Sequence, residues 1–203
     1  EKLERFGIRI KRQQMMTSTH VISRYLKQHY EGKSIYVLGT PSLIQEFQYF
    51  DMNLTEENPD IVVLGFDTTL TYEKLSKACH YIRNGCIYFG INPDWNCPME
   101  GGAFIPDCGS IAKLIEASTG RFPEFFGKPS KHTLDYIIQE TGYEPDEIAI
   151  VGDRLYTDIA VADQSDVMSI LVLSGESTRE DVKTSDVKPN VILEDLSEIT
   201  KML

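Results

Sequence analysis

The chain has 203 residues, of which 41% are hydrophobic and 25% charged, and its formal net charge is -11 with a pI near 4.8. This is the composition of a globular protein, and it excludes disorder over most of the chain. The acidic charge argues against a nucleic-acid partner, because affinity for a phosphate backbone depends on Lys and Arg displacing condensed counterions. No apolar run approaches the roughly 20 residues that span a bilayer, so no membrane partner is predicted.

The predicted elements alternate between helices and short strands. Residues 1–7 read as the end of a helix. Segments with apolar residues at helical spacing should begin at Thr17, Thr40, about Thr71, Ser110 and Ser130, and end near Gly32, Phe47, Arg83, Gly120 and Gly142. Compact apolar runs predict strands at residues 34–38, 61–64, 86–89, 148–151, 169–173 and 191–193. This alternation indicates an α/β fold with a largely parallel sheet.

Residues 92–106 are rich in turn formers and are predicted to be the longest irregular loop, the kind of segment that often carries function. The four cysteines, Cys79, Cys86, Cys97 and Cys108, are spread without a CxxC pair. Because a chain of this size can fold without disulfides, reduced thiols and a cytoplasmic location are the simplest interpretation.

Two carboxylates follow the strand predicted at 148–151, in the run Gly152-Asp-Arg-Leu-Tyr-Thr-Asp158. Ligands of open parallel sheets lie beyond the carboxyl ends of the strands, and carboxylates placed there need a cation, a hydrogen-bond network or water. Mg²⁺ suits them, since it takes one or two protein carboxylates and completes its shell with water and substrate phosphate. Read alone, the pattern is more often a helix-capping Asp followed by an exposed one.

A lysine lies directly before a predicted helix in Gly127-Lys-Pro-Ser130. Lys is a compact point charge that can neutralise a phosphoryl group, and the helix N-terminus next to it attracts anions. A loop lysine is usually solvated, so this pattern is also weak by itself. The two motifs in this order, with a helix and a strand between them, are far more specific.

These motifs resemble those of the haloacid dehalogenase-like hydrolases, in the p-nitrophenyl phosphatase and nucleotide monophosphatase branch, which has a large α/β (type IIA) cap. The matching segments run along essentially the whole chain: Thr17-Ser18, Tyr25-Leu26, Val63–Asp67, Leu70–Leu75, Asn92–Asp94, Thr119–Arg121, Gly127–Ser130, Gly152–Leu155 and Thr157–Ile159. The resemblance implies a Rossmann-like parallel-sheet core, incomplete at its N-terminal side, with an inserted α/β cap domain. It places the core in residues 1–33 and 123–203 and the cap in residues 34–122.

By this resemblance Lys128 is the family's positive third motif, which stabilises the nucleophile and the phosphoryl charge. Asp153 would be the magnesium ligand of the fourth motif, and Asp158 its supporting acidic partner. The family's nucleophile is the first Asp of Asp-x-Asp-Gly-Thr, and a Thr or Ser of the second motif binds the phosphoryl oxygens. Neither motif is in this sequence, and the resemblance places both upstream of Glu1, so the chain alone is expected to be inactive.

The cap loop of this branch reaches over the leaving group. Together with Lys128, the predicted substrate-binding residues are Asn92, Asp94, Trp95, Asn96 and Cys97, although Trp95 is as often a packing residue as a ligand-contacting one. Cys97 is not expected to act as a nucleophile, because no basic neighbour is evident that would lower its pKa. A homodimer formed through the cap would accord with the resemblance.

Three segments depart from the family pattern or imitate it. Gly65-Phe-Asp-Thr-Thr69 superficially resembles the first motif, but glycine would stand at the nucleophile position. Pro106-Asp-Cys-Gly109 stands where relatives often have Pro-Gly-x-Gly, which leaves the hinge between cap and core undefined. Asp163-Gln-Ser-Asp-Val167 replaces a glycine-containing turn and could alter that turn without touching the metal site.

The leading interpretation is a Mg²⁺-dependent enzyme that hydrolyses small phosphomonoesters, such as a nucleotide or a sugar-type phosphate, through an aspartyl-phosphate. The alternative is a catalytically silent phosphate-binding or interaction protein on the same scaffold, because a fold does not guarantee activity. An upstream Asp-x-Asp would distinguish the two. The presence of Lys128, Asp153 and Asp158 favours the enzyme, since a silent protein has no chemical need for all three.

Overall fold

The computed structural model describes residues 2–201 and is built of alternating helices and short strands. Glu1, the first residue of the predicted helix remnant, and Met202 and Leu203, at the end of the predicted core, lie outside the described residues. The chain divides into two compact units, residues 1–124 and 125–203. The three-segment division into core and cap stays a prediction. Among the described residues, no helix has the length and apolar character needed to cross a membrane.

The first unit is organised around a parallel sheet. Its elements are α1 (Lys2–Arg5), α2 (Ser18–His29), β1 (Ile35–Leu38), α3 (Pro41–Tyr49), β2 (Ile61–Leu64), α4 (Tyr72–Arg83), β3 (Ile87–Gly90), β4 (Asn96–Pro98), β5 (Phe104–Pro106) and α5 (Cys108–Thr119). Strand β1 pairs with β2, and β2 with β3, all in parallel. Every residue of β1 and β2 is buried, which explains why these strands read as continuous apolar runs rather than as alternating ones.

The second unit contains a smaller parallel sheet. A two-residue strand, β6 (Glu124–Phe125), spans the division, and α6 (Lys131–Thr141), β7 (Ala149–Gly152), β8 (Met168–Val172), α7 (Arg179–Thr184) and β9 (Val191–Leu193) follow. The strand order is β7-β8-β9, with Gly152 opposite Leu171 and Ile170 opposite Val191. The segment between β7 and β8 contains a 3₁₀ turn at Ile159–Ala162. Buried residues of this unit cluster around Ile148, Ala162 and Val167, and around Leu155, Ile159 and Leu171.

Three of the predicted helix starts are confirmed by capping hydrogen bonds. Thr40 accepts from the backbone N–H of Leu43 (3.3 Å), Thr71 from that of Lys74 (3.2 Å), and Ser130 from that of His132 (3.3 Å). Each bond satisfies one of the backbone donors that a helix leaves unpaired in its first turn.

The predicted start of α5 at Ser110 is wrong. The helix begins at Cys108, and Asp107 is its N-cap, with Oδ1 accepting from the Cys108 N–H at 2.5 Å. Ser110 lies inside the first turn, where its hydroxyl donates to the Trp95 carbonyl at 2.6 Å. Asp and Ser are about equally good N-cap residues, so local sequence does not show which of the two caps α5. In the folded chain the loop places the Trp95 carbonyl next to Ser110, whose hydroxyl donates to it, and Asp107 is the N-cap.

The segment expected to be irregular contains a β-hairpin. Strands β4 and β5 pair in antiparallel fashion, with Asn96 opposite Pro106 and Cys97 opposite Ile105. The turn formers Gly101 and Gly102 lie at its tip, both with positive φ. Strands of three residues are too short to show a readable period-2 pattern, which is why the sequence did not reveal them.

The turn at residues 163–167, which lacks the glycine of the family pattern, contains one residue with left-handed backbone conformation. Gln164 has φ 58°, in a region that costs a residue with a Cβ about 1–2 kcal/mol. In this turn glutamine, rather than glycine, adopts the left-handed conformation.

Candidate active site

Asp153 and Asp158 lie on the turn that leaves β7. Asp153 directly follows Gly152, the last residue of the strand, and Asp158 is at the start of the 3₁₀ turn Ile159–Ala162. The Asp158 carboxylate bends back over this turn, because its Oδ2 accepts from the Arg154 N–H at 3.1 Å while its own N–H donates to the Arg154 carbonyl at 2.9 Å. Asp158 is buried. The turn thus holds its second carboxylate in one defined position.

Lys128 pairs with Asp158, so the two predicted motifs meet in the folded unit. Its Nζ donates to Asp158 Oδ1 at 2.5 Å. The Lys128 side chain is 52% exposed, whereas that of Asp158 is 10% exposed. The ammonium group is therefore fixed from the protein side by a buried carboxylate and can still be reached by an anionic substrate.

Gly152 has a steric reason to stand before Asp153. A Cβ at this position would lie 2.2 Å from Asp158 Cβ and 2.4 Å from its Cγ. No side chain fits there unless Asp158 moves. The Gly-Asp pair at the strand end is therefore part of the same arrangement as the carboxylate that holds Lys128.

The loop after β8 holds Asp153 in place. The Glu176 N–H donates to Asp153 Oδ2 at 2.9 Å, and the Ser177 N–H donates to the Asp153 carbonyl at 3.0 Å. The Ser177 hydroxyl also accepts from the Leu155 N–H at 3.2 Å. Sequence reasoning missed this loop. The signal was available, since residues 174–177 follow an apolar strand just as Asp153 follows β7, and β7 and β8 are parallel neighbours.

The donor set fits a hard divalent cation. Mg²⁺ binds oxygen and typically uses one or two protein carboxylates. Among the described residues, Asp153 Oδ1 has no hydrogen-bond partner, whereas both oxygens of Asp158 are engaged, by Lys128 and by the Arg154 N–H. No group of three or more His, Cys, Asp or Glu in residues 2–201 is arranged to hold a metal. The fit therefore rests on Asp153 with Asp158 as its acidic neighbour.

Asn92 and Asp94, two of the predicted cap-loop residues, form part of a hydrogen-bonded tie to α5. Asn92 Nδ2 donates to Asp94 Oδ2 at 2.8 Å and to Asp107 Oδ1 at 3.1 Å. The Gly109 N–H donates to the Asp94 carbonyl at 2.8 Å, and a Cβ at Gly109 would lie 2.2 Å from the Pro93 carbonyl oxygen. Asp107, part of a segment that departs from the family pattern, thus both caps α5 and holds the loop.

The other three cap-loop residues lie at the base of the hairpin. The Trp95 side chain is 51% exposed, and its carbonyl accepts from the Asp107 N–H at 2.9 Å. Asn96 is exposed and Cys97 partly exposed on β4. All five predicted cap-loop residues belong to the first unit, and Lys128, Asp153 and Asp158 belong to the second. The structure brings each group together within its own unit.

Asp67, in the segment that imitates the first motif, has a structural role. Its Oδ1 accepts from the N–H and hydroxyl of Thr69 at 2.8 and 2.6 Å, and its Oδ2 accepts from Lys74 Nζ at 2.8 Å. The carboxylate is fully buried. With these partners it is a structural ion pair rather than a nucleophile.

None of the four cysteines is in a disulfide. Burial raises the pKa of the Cys108 thiol to about 12 and also raises the pKa of Cys86. A thiol with a raised pKa is a poor nucleophile. These two cysteines are therefore packing residues.

Two family models match the chain, one described as haloacid dehalogenase-like hydrolase over residues 1–53 and one as HAD-hydrolase-like over residues 125–199. Among curated proteins, the acid sugar phosphatase of Staphylococcus aureus (strain MRSA252) is 35% identical over 199 residues, which are 98% of this chain and 76% of that protein. The chain belongs to the haloacid dehalogenase-like hydrolases, and it is an enzyme of the phosphoric monoester hydrolase type.

Solved structures agree with this assignment. The 4-nitrophenylphosphatase of Thermotoga maritima matches with a TM-score of 0.93 and 42% identity over 98% of this chain and 77% of that chain. NagD from Escherichia coli K-12 matches with a TM-score of 0.85 and 32% identity over 95% of this chain and 75% of that chain. The predicted family, its p-nitrophenyl phosphatase branch and the α/β fold with a parallel-sheet core and cap are confirmed.

Proposed function

We propose that the protein hydrolyses small phosphomonoesters in a Mg²⁺-dependent reaction that passes through an aspartyl-phosphate. The observation that carries the proposal is the Lys128 ammonium, held at 2.5 Å by buried Asp158 on the same strand-end turn as Asp153. A fixed cation and a carboxylate at this edge of a parallel sheet are what phosphoryl transfer requires, because its catalysis consists mostly of positioning and charge stabilisation.

Each of the three residues has a distinct role in this proposal. Lys128 donates hydrogen bonds to the phosphoryl oxygens and to the nucleophile's carboxylate, and it stabilises the charge that develops on them. Asp158 holds the Lys128 ammonium and fixes the direction in which it donates. Asp153 is the principal cation ligand, with Asp158 supporting it; the bound Mg²⁺ would supply further charge stabilisation on the phosphoryl oxygens.

The nucleophile in this proposal is an aspartate upstream of Glu1. Its carboxylate oxygen forms a bond to phosphorus while the bond to the leaving alkoxide breaks, and a second upstream aspartate donates a proton to that alkoxide. In the second step the second aspartate takes a proton from water as that water attacks phosphorus, and the bond between phosphorus and the nucleophile's oxygen breaks. Inorganic phosphate leaves and the free carboxylate is restored, so one difficult displacement becomes two easier ones. Trp95, Asn96 and Cys97 would contact the leaving group, as residues of a cap that excludes water.

Among small phosphomonoesters we favour sugar phosphates over nucleotides. The support is the name of the curated relative, an acid sugar phosphatase, which is 35% identical over nearly the whole chain. We also propose that the protein is cytoplasmic, in keeping with its four unpaired cysteines. We also propose a homodimer that forms through the cap. The exposed Met99 and Phe104 of the hairpin offer an apolar surface for it. Light scattering would detect such a dimer.

The experiment that tests the function measures phosphate release in the protein as its gene encodes it, including any upstream residues. Sugar phosphates, nucleoside monophosphates and p-nitrophenyl phosphate would be assayed with Mg²⁺ and with EDTA. We expect Lys128→Ala to lower kcat/KM by 100-fold or more, since a lost donor to developing charge typically costs about that much. We expect a loss of similar size in Asp153→Asn, because it weakens the binding of the cation that would stabilise the same charge. Lys131→Ala and Asp163→Asn are matched controls, because both residues are exposed.

Near-wild-type turnover in Lys128→Ala or Asp153→Asn would refute the assigned roles. Phosphate binding without turnover, in a protein that carries an upstream Asp-x-Asp, would support the silent phosphate-binding alternative. Turnover that persists in EDTA would refute the metal dependence but leave the role of Lys128 standing.

A further inference from the structure

We propose that Glu176 is a positioning residue for the cation ligand Asp153. It would hold one carboxylate oxygen of Asp153 so that the other faces the metal. This inference rests on the proposed function, because it takes Asp153 as the ligand. It goes further by assigning a role to the loop after β8.

The two carboxylate oxygens of Asp153 differ in their hydrogen bonding. Oδ2 accepts the Glu176 N–H at 2.9 Å, while Oδ1 has no hydrogen-bond partner among the described residues. A carboxylate rotates about two side-chain torsions unless something fixes it. The hydrogen bond from Glu176 therefore selects which oxygen is available to a cation.

Two contacts of the Glu176 side chain hold the Glu176 N–H in place. One side-chain oxygen of Glu176 pairs with Arg154 Nε at 2.7 Å, and the other accepts from the Tyr156 hydroxyl at 2.6 Å. Both partners belong to the turn that carries Asp153. The loop and the turn are thus joined twice by the Glu176 side chain and once by its backbone.

There is no space for a side chain at Gly175. A Cβ there would lie 2.1 Å from Asp153 Oδ2 and 2.5 Å from Asp153 Cγ. The loop backbone packs directly against the carboxylate, with no room for a methyl group between them. A displacement of the loop would therefore be transmitted to Asp153.

The Glu176 side chain is 42% exposed and that of Arg154 25% exposed. Ion pairs with this exposure contribute little to the stability of a fold. Their loss should therefore leave the unit folded but let the Asp153 carboxylate turn. Partners that orient a metal ligand typically account for 10- to 100-fold in metal affinity.

The test measures Mn²⁺ binding to the protein as its gene encodes it, by electron paramagnetic resonance of the free ion with Mg²⁺ as competitor, so that turnover is not required. We expect Glu176→Ala to weaken Mn²⁺ binding about tenfold or more. Glu176→Gln should recover part of this loss, because the amide oxygen still accepts from Tyr156. Glu194→Ala is the matched control, since Glu194 forms an exposed ion pair with Arg179 in the same unit.

The outcomes separate this inference from the function on which it rests. Mn²⁺ affinity within twofold of wild type in both Glu176 variants, while Asp153→Asn loses binding, would overturn the positioning role alone. Wild-type affinity in Asp153→Asn would overturn the ligand assignment and the inference with it. If Glu176→Ala does not fold, as judged by circular dichroism, Glu176→Gln decides. Weaker Mn²⁺ binding in the folded Gln variant supports the role, and unchanged binding overturns it.

Discussion

Asp67 shows at the scale of one residue how the protein tolerates a buried charge. Burial raises the pKa of this carboxyl, but hydrogen bonds from Lys74 and Thr69 more than offset that effect, and its pKa lies below the ordinary value of 3.8. A carboxylate with a lowered pKa in the folded state stabilises the fold above its unfolded pKa, and this contribution is lost as the pH falls through the folded pKa. Asp67 therefore contributes stability at neutral pH that is lost in acid, below about pH 4.

We predict that Lys74→Met lowers the free energy of unfolding at pH 7 by about 3 kcal/mol, because it leaves Asp67 buried without its counter-charge. Below about pH 4 the variant should approach the wild type, since protonation of Asp67 removes the unpaired charge. Urea unfolding at several pH values measures both effects. Lys77→Met is the control on the same helix, because Lys77 pairs with the exposed Glu56, and its cost should stay under about 1 kcal/mol. Equal losses in the two variants would contradict the prediction.

At the scale of the element, Arg121 closes the C-terminal end of α4. Its Nη1 donates to the Ile82 carbonyl at 3.0 Å and to the Cys86 carbonyl at 2.9 Å. The last carbonyls of a helix have no partner within the helix, and a cation near them also interacts favourably with the helix dipole. Arg121, in the matching Thr119–Arg121 segment, therefore has a structural contact within the first unit.

Replacing Arg121 with Met should cost about 1–3 kcal/mol, because two carbonyls lose a charged donor. Hydrogen exchange should accelerate at Asn84 and Cys86, whose N–H groups donate back to α4. Arg83→Met is the matched control: Arg83 donates to Ser118 in an exposed contact, and its loss should stay within about 0.5 kcal/mol. Unchanged exchange at Asn84 and Cys86 in Arg121→Met would show that another group closes the helix.

At the scale of the whole molecule, cation binding should be visible as stability. A ligand that binds only the folded state stabilises it by RT ln(1 + [L]/Kd), which is about 2.7 kcal/mol at a hundredfold excess over Kd. We predict that Mg²⁺ raises the thermal midpoint and that EDTA reverses the shift. The shift should vanish in Asp153→Asn and persist in Asp163→Asn. A shift of wild-type size in Asp153→Asn would place the cation elsewhere.

Several features could be predicted from local sequence alone. The strands β1 and β2 were recognisable because a buried parallel strand is a continuous apolar run. The caps at Thr40, Thr71 and Ser130 depend on residues within one turn of the helix, so sequence neighbours suffice to identify them. The motifs at Lys128 and Asp153 could also be recognised from the sequence, because residue type and order along the chain define them.

The sequence by itself therefore determined the family, the order of the longer helices and strands, and three residues of the candidate site. Only the tertiary structure decided that Lys128 pairs with Asp158, that Asp107 rather than Ser110 caps α5, and that the Glu176 N–H donates to Asp153. Each of these contacts joins residues from different segments, through strand pairing or the path of a loop. The free energy of such a contact depends on the distance between segments in the folded chain, and the spacing of residues along the sequence does not give that distance.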